Sequence, residues 1–438
     1  MTSTSRRAGP LTRRAHTAAR PGELTAQTAA IAGGPKAKTV PYGAGKRFGP
    51  EELQQLKEAL DQNTLFYAFG KKTAQFKAAW SAYTGVKHVI TTSSGTAALH
   101  CAVAAAGVGV GDEVVTAPIT DLGSVIGVLY QGAVPVFADL DPHTYMMTAE
   151  SIAKVLTKNT RAVIVVHLAG NCADMDPIVK LCKKHKLVLI EDCAQSFGAR
   201  DAKGRLAGTF GAFGCFSTND FKHISTGDGG MVVTNNDGLA LKAQLFSDKA
   251  YRRDGSPNNP EFLAPNYRMT ELQAAVGIAQ IAKLPKIVAR RRQIGDRFTE
   301  RIAGLPGLSA HGVKKGFCCT YWFYMFCIDE KKLGATRKEF VKAVAAEGIT
   351  LSLGYIDRPV YRYNLFTDRN ILRHSEFPLT NKELKRRYEY PEGLCPVAEE
   401  IIATACRLPV NEFFTDQDTE EVCEGLEKVV HHFQSKNQ

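Results

Sequence analysis

Four short apolar segments recur along the middle of the chain, and helical stretches separate each from the next. Their sequences are EVVTAP, VPVFADL, AVIVVHL and LVLIED, at residues 113–118, 134–140, 162–168 and 187–192. Segments that are apolar on both faces and alternate with helices indicate a parallel sheet in an α/β domain. KHVITTSSG before them and CFSTND and GGMVVTN after them add further strands. We therefore predict an α/β fold whose large domain has three layers around a mostly parallel sheet.

The pattern changes near KLPKIVARRRQIGDRFTERIAG, residues 283–304, which predicts a long basic helix that bridges two domains. Beyond it, TYWFYMFCID, TRKEFVKAVAAEGI and TDQDTEEVCEGLEKVVHHF indicate a strand and helices of a smaller α+β domain. Residues 367–393 are strongly charged without clear periodicity, and we predict a surface excursion there. The predicted divisions are a basic tail at 1–40, a large domain at 41–285 and a small domain at 286–438.

The positive charge is concentrated at the start of the chain. Residues 1–50 hold nine Lys and Arg against Glu23 alone, so most of the net charge of +11 lies there. This stretch lacks the apolar region of a secretory signal, and its Arg- and Ser-rich composition also fits an organelle transit peptide. We favour a disordered tail. A basic balance with this origin does not predict a nucleic-acid surface on the folded body.

Cysteine usage and hydropathy predict the compartment. The chain has 11 cysteines without a CxxC pair, and Cys318 and Cys319 are adjacent. This pattern suits a reducing cytoplasm and supports neither a disulfide framework nor a metal site. No apolar run approaches the roughly 20 residues of a membrane span. We expect a cytoplasmic protein that binds neither membrane nor nucleic acid.

Polar residues at the predicted strand ends are the candidates for chemistry. Ser93, Ser94, Gly95 and Thr96 lie between a strand and a helix. The free N–H groups and the dipole of a helix N-terminus make an anion site, although many such segments are only helix caps.

Asp192 ends the strand LVLIED and would point into a ligand crevice. Opposite a pyridine nitrogen, its carboxylate would keep that nitrogen protonated, so that the ring works as an electron sink. The alternative is a helix N-cap for CAQSFGA, in which Gln195 would complete a capping box. Gln195 could instead reach a phenolic oxygen on the same pyridine ring, if that ring belongs to a bound cofactor.

Lys222 lies in the stretch FSTNDFKHISTGDGGMVV, residues 216–233. An apolar strand, a turn and a lysine fit the Schiff-base lysine of pyridoxal phosphate enzymes, although a lone loop lysine is usually a solvated charge. Ser217, in the same segment, could donate to the cofactor phosphate. The side chain of His223 should diverge from that of Lys222, so we interpret it as structural.

A further candidate segment is LAPNYRMTELQAAVG, residues 263–277, where Asn266 and Arg268 are predicted to open a helix. The alternative interpretation is plain helix capping with a surface arginine.

Together these motifs resemble the DegT/DnrJ/EryC1/StrS family of sugar aminotransferases, which have the aspartate-aminotransferase fold (type I). The resemblance covers roughly residues 45–438. Its carriers, in the order of the family, are SSGTAALHCAV, DLDPHTY, HLAGNCADMDPI, IEDCAQSFGA, the Lys222 loop with TGDGGMVVTN, and NYRMTELQAAVG.

The resemblance implies a role for each matching residue. Lys222 would be the Schiff-base lysine and Asp192 the partner of the pyridine nitrogen of pyridoxal 5'-phosphate. The remaining cofactor contacts would be Gln195 near the 3′-oxygen, with Gly95, Thr96 and Ser217 on the phosphate. Asn266 would reach the phosphate of the neighbouring subunit's cofactor, which implies a homodimer with shared active sites.

The implied reaction is transfer of an amino group from glutamate or glutamine to a keto- or aldehyde-sugar. The sugar would be nucleotide-linked, or an eight-carbon keto-sugar acid aminated at its C8 aldehyde, as the segments around residues 116–141 and 172–178 indicate. Some relatives replace the lysine with histidine and catalyse dehydration, but the spacing from Ser217 places Lys222 at that position. A dehydratase or epimerising relative and a non-enzymatic regulator are the alternatives.

The sequence departs from the family pattern at positions expected to border the substrate. Leu122 and Ala169 stand where aromatics are common, Cys172 where proline is usual, and Gly354 where a histidine often precedes the tyrosine. An aliphatic Leu122 would pack on the cofactor ring without aromatic stacking. These departures weaken any inference about which sugar is bound.

Overall fold

A seven-stranded sheet forms the centre of the computed structural model, which describes residues 28–257 and 259–436. The strands lie in the order β1-β7-β6-β5-β4-β2-β3, and only β7 runs antiparallel to its neighbours. Their bounds are β1 (His88–Thr92), β2 (Glu113–Thr116), β3 (Val134–Phe137), β4 (Thr160–Val166), β5 (Val188–Asp192), β6 (Phe213–Ser217) and β7 (Gly230–Thr234). The predicted mostly parallel sheet is confirmed, and each apolar segment forms the strand expected of it.

Helices cover both faces of this sheet. They are α1 (Pro50–Asp61), α2 (Lys72–Thr84), α3 (Gly95–Ala105), α4 (Gly123–Tyr130), α5 (Ala149–Val155), α6 (Met175–His185), α7 (Asp237–Ser247) and α8 (Glu271–Ile302). Consecutive strand residues enter different cores: Ile190 packs with α3 and α7, whereas Leu189 packs with α6. Because both faces are buried, the strands are apolar throughout and do not alternate.

Helix α8 is one continuous helix of 32 residues with Pro285 inside it. It begins at Glu271 behind a capping box of Thr270 and Gln273, so the prediction that Asn266 and Arg268 open the helix is wrong. An 18-residue stretch has mean hydropathy 1.2, enough for a membrane span by composition, but α8 packs against α1 and α2, as a core helix does. The predicted boundary at residue 285 falls inside α8, and the division into two domains stays a prediction.

The C-terminal part is built on a three-stranded antiparallel sheet in the order β12-β9-β8. Its elements are β8 (Leu308–Ala310), β9 (Phe323–Ile328), α9 (Glu330–Leu333), α10 (Arg337–Ala346), α11 (Asn364–Thr367), β10 (Thr380–Asn381), β11 (Arg386–Arg387), α12 (Pro396–Thr404), β12 (Ala405–Pro409) and α13 (Asp416–Lys436). The charged excursion at 367–393 contains the β10–β11 hairpin. It is anchored on the large sheet region, since the Tyr388 hydroxyl donates to Glu113 at 2.7 Å.

Residues 28–48, called the N-terminal strap below, run along the C-terminal part before the first long helix. The Glu347 carboxylate accepts from the backbone N–H of Ala30 at 2.7 Å and of Ala37 at 2.9 Å. The buried Lys38 ammonium pairs with Asp418 at 2.5 Å. The predicted tail at 1–40 therefore needs correction, because its last 13 residues pack on the fold. Residues 1–27 lie outside the described residues.

Candidate active site

One pocket lies where the strands β1, β5 and β6 end at the same edge of the sheet. Loops that follow parallel strands meet at this edge, which is the usual place for a ligand in an open α/β sheet. The predicted residues that line it are Gly95, Thr96, Asp192, Ser217 and Lys222, together with Ser94, Asp121, Ser124 and Asn219. Gln195 and Asn266, also predicted for the site, are not among the lining residues.

The N-terminus of α3 forms one wall of this pocket. The Ser94 hydroxyl caps the helix by accepting from the Ala97 N–H at 3.0 Å, whereas the N–H groups of Gly95 and Thr96 bond to no described residue. A Cβ at Gly95 would lie 2.5 Å from the Ser217 Cβ, so only glycine lets the helix approach β6 this closely. Two free N–H groups, a helix dipole and two hydroxyls thus fit a phosphate.

Asp192, the last residue of β5, is only 5% exposed. Its carboxylate accepts from the Ser124 hydroxyl at 2.7 Å and from the Ala194 N–H at 3.1 Å. Burial raises the pKa of Asp192, and the positive charge of Lys222 acts in the opposite direction. A desolvated carboxylate of this kind gains from a cationic partner such as a protonated pyridine nitrogen.

The alternative interpretation of Asp192 as a helix cap is wrong. Residues 193–199 form turns and no helix follows β5, because the Asp192 side chain closes a local turn with the Ala194 N–H. Gln195 is buried, and its Oε1 accepts from the Ala169 N–H at 2.8 Å. The Gln195 Nε2 bonds to no described residue, which leaves a donor available, and its contact with the cofactor stays a prediction.

Lys222 follows β6 in a turn closed by its own N–H, which donates to Asn219 O at 2.9 Å. Its ammonium lies over the Trp322 ring, 3.7 Å from the ring centroid. Burial lowers the pKa of Lys222, and the charges of Asp192 and Asp121 partly oppose this shift. A lowered pKa increases the fraction of neutral amine, which is the nucleophilic form.

The neighbour of Lys222 in sequence has a different environment. His223 is fully buried, its Nε2 donates to Thr320 O at 3.0 Å, and its ring packs beside Phe197. Burial places the pKa of His223 well below its ordinary value. His223 is not a lining residue of the pocket, so its interpretation as structural agrees with its position.

The sequence interpretation missed several residues of the site, among them Asp121, Ser124 and Trp322. Asp121 and Ser124 follow β2, and the Ser124 hydroxyl lies 2.6 Å from that of Thr120. The same strand-end rule that selected Asp192 applies to this segment and could have found them. Trp322 comes from a distant segment at the start of β9, and no local pattern connects it with Lys222.

Asn266 is exposed, outside the pocket, and bridged to Asp248 through the backbone. Arg268 pairs with the fully buried Asp248 at 2.6 Å, so it is not a free surface arginine. The predicted reach of Asn266 to a neighbouring subunit stays a prediction.

The four positions expected to border the substrate lie outside the lining of this pocket. Leu122 is half-buried against the apolar core, and Ala169 and Cys172 are buried, with Ala169 at a positive φ of 58°. Gly354 also has positive φ, at 74°. Their influence on the choice of sugar stays a prediction.

A second polar cluster lies beside the pocket, formed by His167, Glu191 and Cys193 within 4.8 Å of one another. His167 Nε2 lies 3.0 Å from the Glu191 carboxylate, and its Nδ1 accepts from the Ala173 N–H at 3.1 Å. Both ring nitrogens are therefore occupied by protein partners. The cluster is explained as a hydrogen-bond network and needs no metal ion.

Comparison with known proteins places this geometry in context. A sequence profile of the DegT/DnrJ/EryC1/StrS aminotransferase family matches residues 46–391. The chain is 32% identical to the spore coat polysaccharide biosynthesis protein SpsC of Bacillus subtilis over 391 residues, covering 87% of this chain and 95% of that protein. It is 35% identical to the GDP-perosamine synthase of Caulobacter vibrioides over 324 residues, covering 73% and 83%. An aminotransferase structure from Psychrobacter cryohalolentis superposes with a TM-score of 0.79 at 29% identity, covering 90% of this chain and 100% of that one.

Proposed function

Since the chain belongs to the DegT/DnrJ/EryC1/StrS aminotransferase family and is a pyridoxal-phosphate-dependent sugar aminotransferase, we propose that it aminates a nucleotide-linked keto-sugar with glutamate or glutamine as donor. The observation that carries the reaction type is the placement of Lys222 and Asp192 in one pocket with the N-terminus of α3. Relatives named GDP-perosamine synthase, 34–36% identical to this chain, support a nucleotide-linked substrate.

The residues present fit the cofactor. The N–H groups of Gly95 and Thr96, with the Ser217 hydroxyl, would hold its phosphate, and Asp192 would face its ring nitrogen. When bound, pyridoxal phosphate supplies an electron sink for the negative charge that develops on the amino-acid carbon. Ser124 keeps the Asp192 carboxylate oriented toward this task.

Lys222 performs the proton transfer. Its Nζ is neutral in a larger fraction than a solvated lysine because burial lowers its pKa. A neutral amine can take a proton from the donor carbon and return it at a neighbouring atom, and the buried setting limits exchange of that proton with water. The nearby charges of Asp121 and Asp192 favour the ammonium that exists between these two transfers.

An aromatic wall beside Lys222 supports a sugar as the acceptor. The centroid of the Trp322 ring lies 3.7 Å from the Lys222 amine, the ring meets Tyr355 edge-on at 5.8 Å, and Tyr355 stacks on the buried Phe323 with centroids 5.0 Å apart. Asp121 and Asp192 are close enough to Tyr355 to help raise the pKa of its hydroxyl, although burial is the main cause. Flat rings with a few polar groups are typical of pockets that orient small ligands.

A substrate screen tests the acceptor. The enzyme is first loaded with the amino group by glutamate, and nucleotide-linked keto-sugars are then added while the visible absorbance of the lysine-bound cofactor is followed. Recovery of this absorbance with a nucleotide-linked sugar is expected. Recovery only with an eight-carbon keto-sugar acid bearing a C8 aldehyde would reject the nucleotide-linked acceptor.

The reaction type has its own test. Amino-¹⁵N-glutamate should give a ¹⁵N-labelled sugar, and borohydride should fix the cofactor on Lys222 in the peptide map. Lys222→Ala should lose roughly 10²–10⁴-fold of the activity, which is the contribution of a positioned general acid–base group. A deoxygenated sugar without label would identify a dehydratase instead.

A homodimer with shared sites is part of the proposal. Phe69, Phe221 and Leu263 are 79%, 77% and 96% exposed, and burial of such apolar side chains between subunits would favour association. Asn266 lies outside the pocket of its own chain, as a residue serving a neighbour would. Mixing refolded Lys222→Ala and Asn266→Ala chains should restore part of the activity, because a mixed dimer regains one intact site. Mixtures no more active than their components would contradict sharing.

We also propose that the protein works in the reducing cytoplasm. All eleven cysteines are free thiols in the described part of the chain, and nine of them are buried. Cell fractionation should recover the protein with cytoplasmic enzymes, and recovery elsewhere would contradict the proposal.

A further inference from the structure

Side chains from distant segments hold three consecutive carbonyls of the lysine loop. The Arg47 guanidinium donates through Nη1 to Asp220 O and through Nη2 to Lys222 O, the latter at 2.8 Å. Between them, the Trp322 indole N–H donates to Phe221 O at 2.6 Å. The main chain at the base of the Lys222 side chain is therefore fixed from two directions.

The main chain of Arg47 is itself held in place. Its own carbonyl accepts from Gln280 at 3.1 Å and from Lys283 at 3.4 Å, both on α8. These contacts fix the last part of the N-terminal strap against the long helix. Arg47 thus reaches the lysine loop from a supported main chain.

A charge network joins Arg47 to Trp322. The Arg47 guanidinium lies 3.9 Å from Glu412, which also accepts from Arg291 at 2.6 and 2.9 Å. Arg291 in turn donates to Trp322 O at 3.2 Å. Glu412 is therefore the counter-charge of two arginines. Arg47 holds the lysine loop, and Arg291 holds Trp322.

Both ends of the Lys222 side chain are defined by these contacts. A lysine has four flexible carbons, so a fixed main chain alone would leave the amine free to move. The Trp322 ring, 3.7 Å from Nζ, supplies the second point. A planar guanidinium can bridge two carbonyls at once, which a single ammonium cannot do with the same geometry.

We propose that Arg47 is a positioning residue that, together with Trp322, fixes the approach of Lys222 to the cofactor and substrate. Arg47 contacts the main chain of Lys222 and does not line the pocket in which the cofactor and substrate would react. Loss of the clamp lets the loop move toward solvent, so the amine is misplaced and better hydrated. A misplacement of about 1 Å reduces turnover by roughly 10²-fold.

The test compares Arg47→Met, Arg47→Lys and Trp322→Phe with the wild type. Arg47→Met should lower kcat by about 10–10²-fold with a smaller change in KM, since the loss lies in alignment. Arg47→Lys should recover part of kcat, because its ammonium can still donate to the loop but lacks the planar fork that spans both carbonyls. Trp322→Phe keeps a ring face and loses the N–H donor, so its decrease should be smaller than that of Arg47→Met.

A second readout needs no activity. In the full-length protein freed of cofactor, acetic anhydride labelling of Lys222 across pH, quantified by mass spectrometry, gives the pKa of its amine. Burial lowers this pKa in the wild type. Arg47→Met should move the labelling midpoint to higher pH, because the released amine is better solvated.

Arg297→Met is the matched control. Arg297 also lies on an ion-paired surface, with Glu420 at 2.6 Å, but none of its hydrogen bonds reaches the lysine loop. It should leave both kcat and the labelling midpoint unchanged.

Glu412→Gln keeps Arg47 and removes its counter-charge, so it should shift both readouts in the direction of Arg47→Met. It replaces Arg47→Met as the test variant if Arg47→Met does not fold. Wild-type kcat and midpoint in folded Arg47→Met, or in Glu412→Gln where it is the variant used, would overturn the proposal.

Discussion

Glu191 and Asp192 are successive residues of β5, yet their carboxylates have opposite surroundings. Glu191 is fully buried and accepts from His167 and from the N–H groups of Gly208, Phe210 and Gly211, at 2.7–3.0 Å. Asp192 faces the pocket and, among the residues that the structure describes, accepts from only two donors, Ser124 and Ala194. Successive residues of a strand point to opposite faces of the sheet. A shift of one position along β5 therefore moves a carboxylate from the interior to the pocket.

The difference shows how two buried acids can be assigned different work. A carboxylate can accept about four hydrogen bonds, and the four around Glu191 use this capacity in full. Asp192 keeps acceptor capacity on the side where a cationic ligand group would lie. Burial therefore does not separate a structural acid from a functional one, whereas unused hydrogen-bonding capacity at a pocket does.

The largest expected effect that tests this comparison is that of Asp192→Asn. The substitution keeps the shape and removes the charge, so kcat should fall by roughly 10²–10³-fold, as when a preorganised electrostatic partner is lost. Steady-state kinetics of the cofactor-saturated enzyme measure this. A variant with wild-type kcat would remove Asp192 from the catalytic machinery.

The stability of the same variant should respond in the opposite way. The folded pKa of Asp192 lies above its ordinary 3.8, so its contribution is fully present below the unfolded pKa and lost as pH rises through the folded value. Asp192→Asn removes that loss, so the cofactor-free variant should be at least as stable as the wild type at neutral pH. Urea unfolding at pH 7 checks this, and a strong destabilisation would contradict it.

Glu191→Gln should have the complementary result. An amide NH₂ in place of either oxygen faces two donors, and each donor left without an acceptor costs roughly 1–3 kcal/mol of the free energy of unfolding. Urea unfolding should show this loss, while kcat per folded molecule changes little. A stable but inactive Glu191→Gln enzyme would break the comparison.

Ser124→Ala should give the smallest effect of the three. Removing one hydrogen bond to a charged group costs about 1.5–3 kcal/mol of interaction, which raises the pKa of Asp192 further. The acidic limb of the pH–kcat profile should therefore move to higher pH. An unshifted limb would mean that Ser124 does not control the ionisation of Asp192.

Much of the fold was predictable because the signals are local. Each strand of the large sheet is an apolar segment between turn residues, and the rule that ligands bind at strand ends selects Asp192 and Ser217 from the sequence alone. Gly95 and Thr96 were found in the same way at the start of α3. The family resemblance supplied their roles and distinguished Lys222 from His223.

The remainder depends on contacts that no local pattern records. Arg47 and Trp322 come from segments 175 and 101 residues away from the carbonyls that they hold. In the sequence, Arg47 looks like an ordinary surface residue and Trp322 like an ordinary strand residue. Residues 28–40 of the strap were predicted as part of a tail from the Arg- and Ser-rich composition at the start of the chain, whereas contacts with Glu347 and Asp418, far along the chain, hold them on the fold.

The contacts of the strap also determine when folding can finish during synthesis. Lys38 leaves the ribosome early, but its partner Asp418 is 380 residues further along the chain. Glu412, the counter-charge of Arg47, is translated at almost the same late time. A nascent chain could form the large sheet before this point, since N-terminal regions fold first. A polypeptide that ends before residue 412 would therefore lack both the counter-charge of Arg47 and the partner of Lys38, however well its sheet had folded.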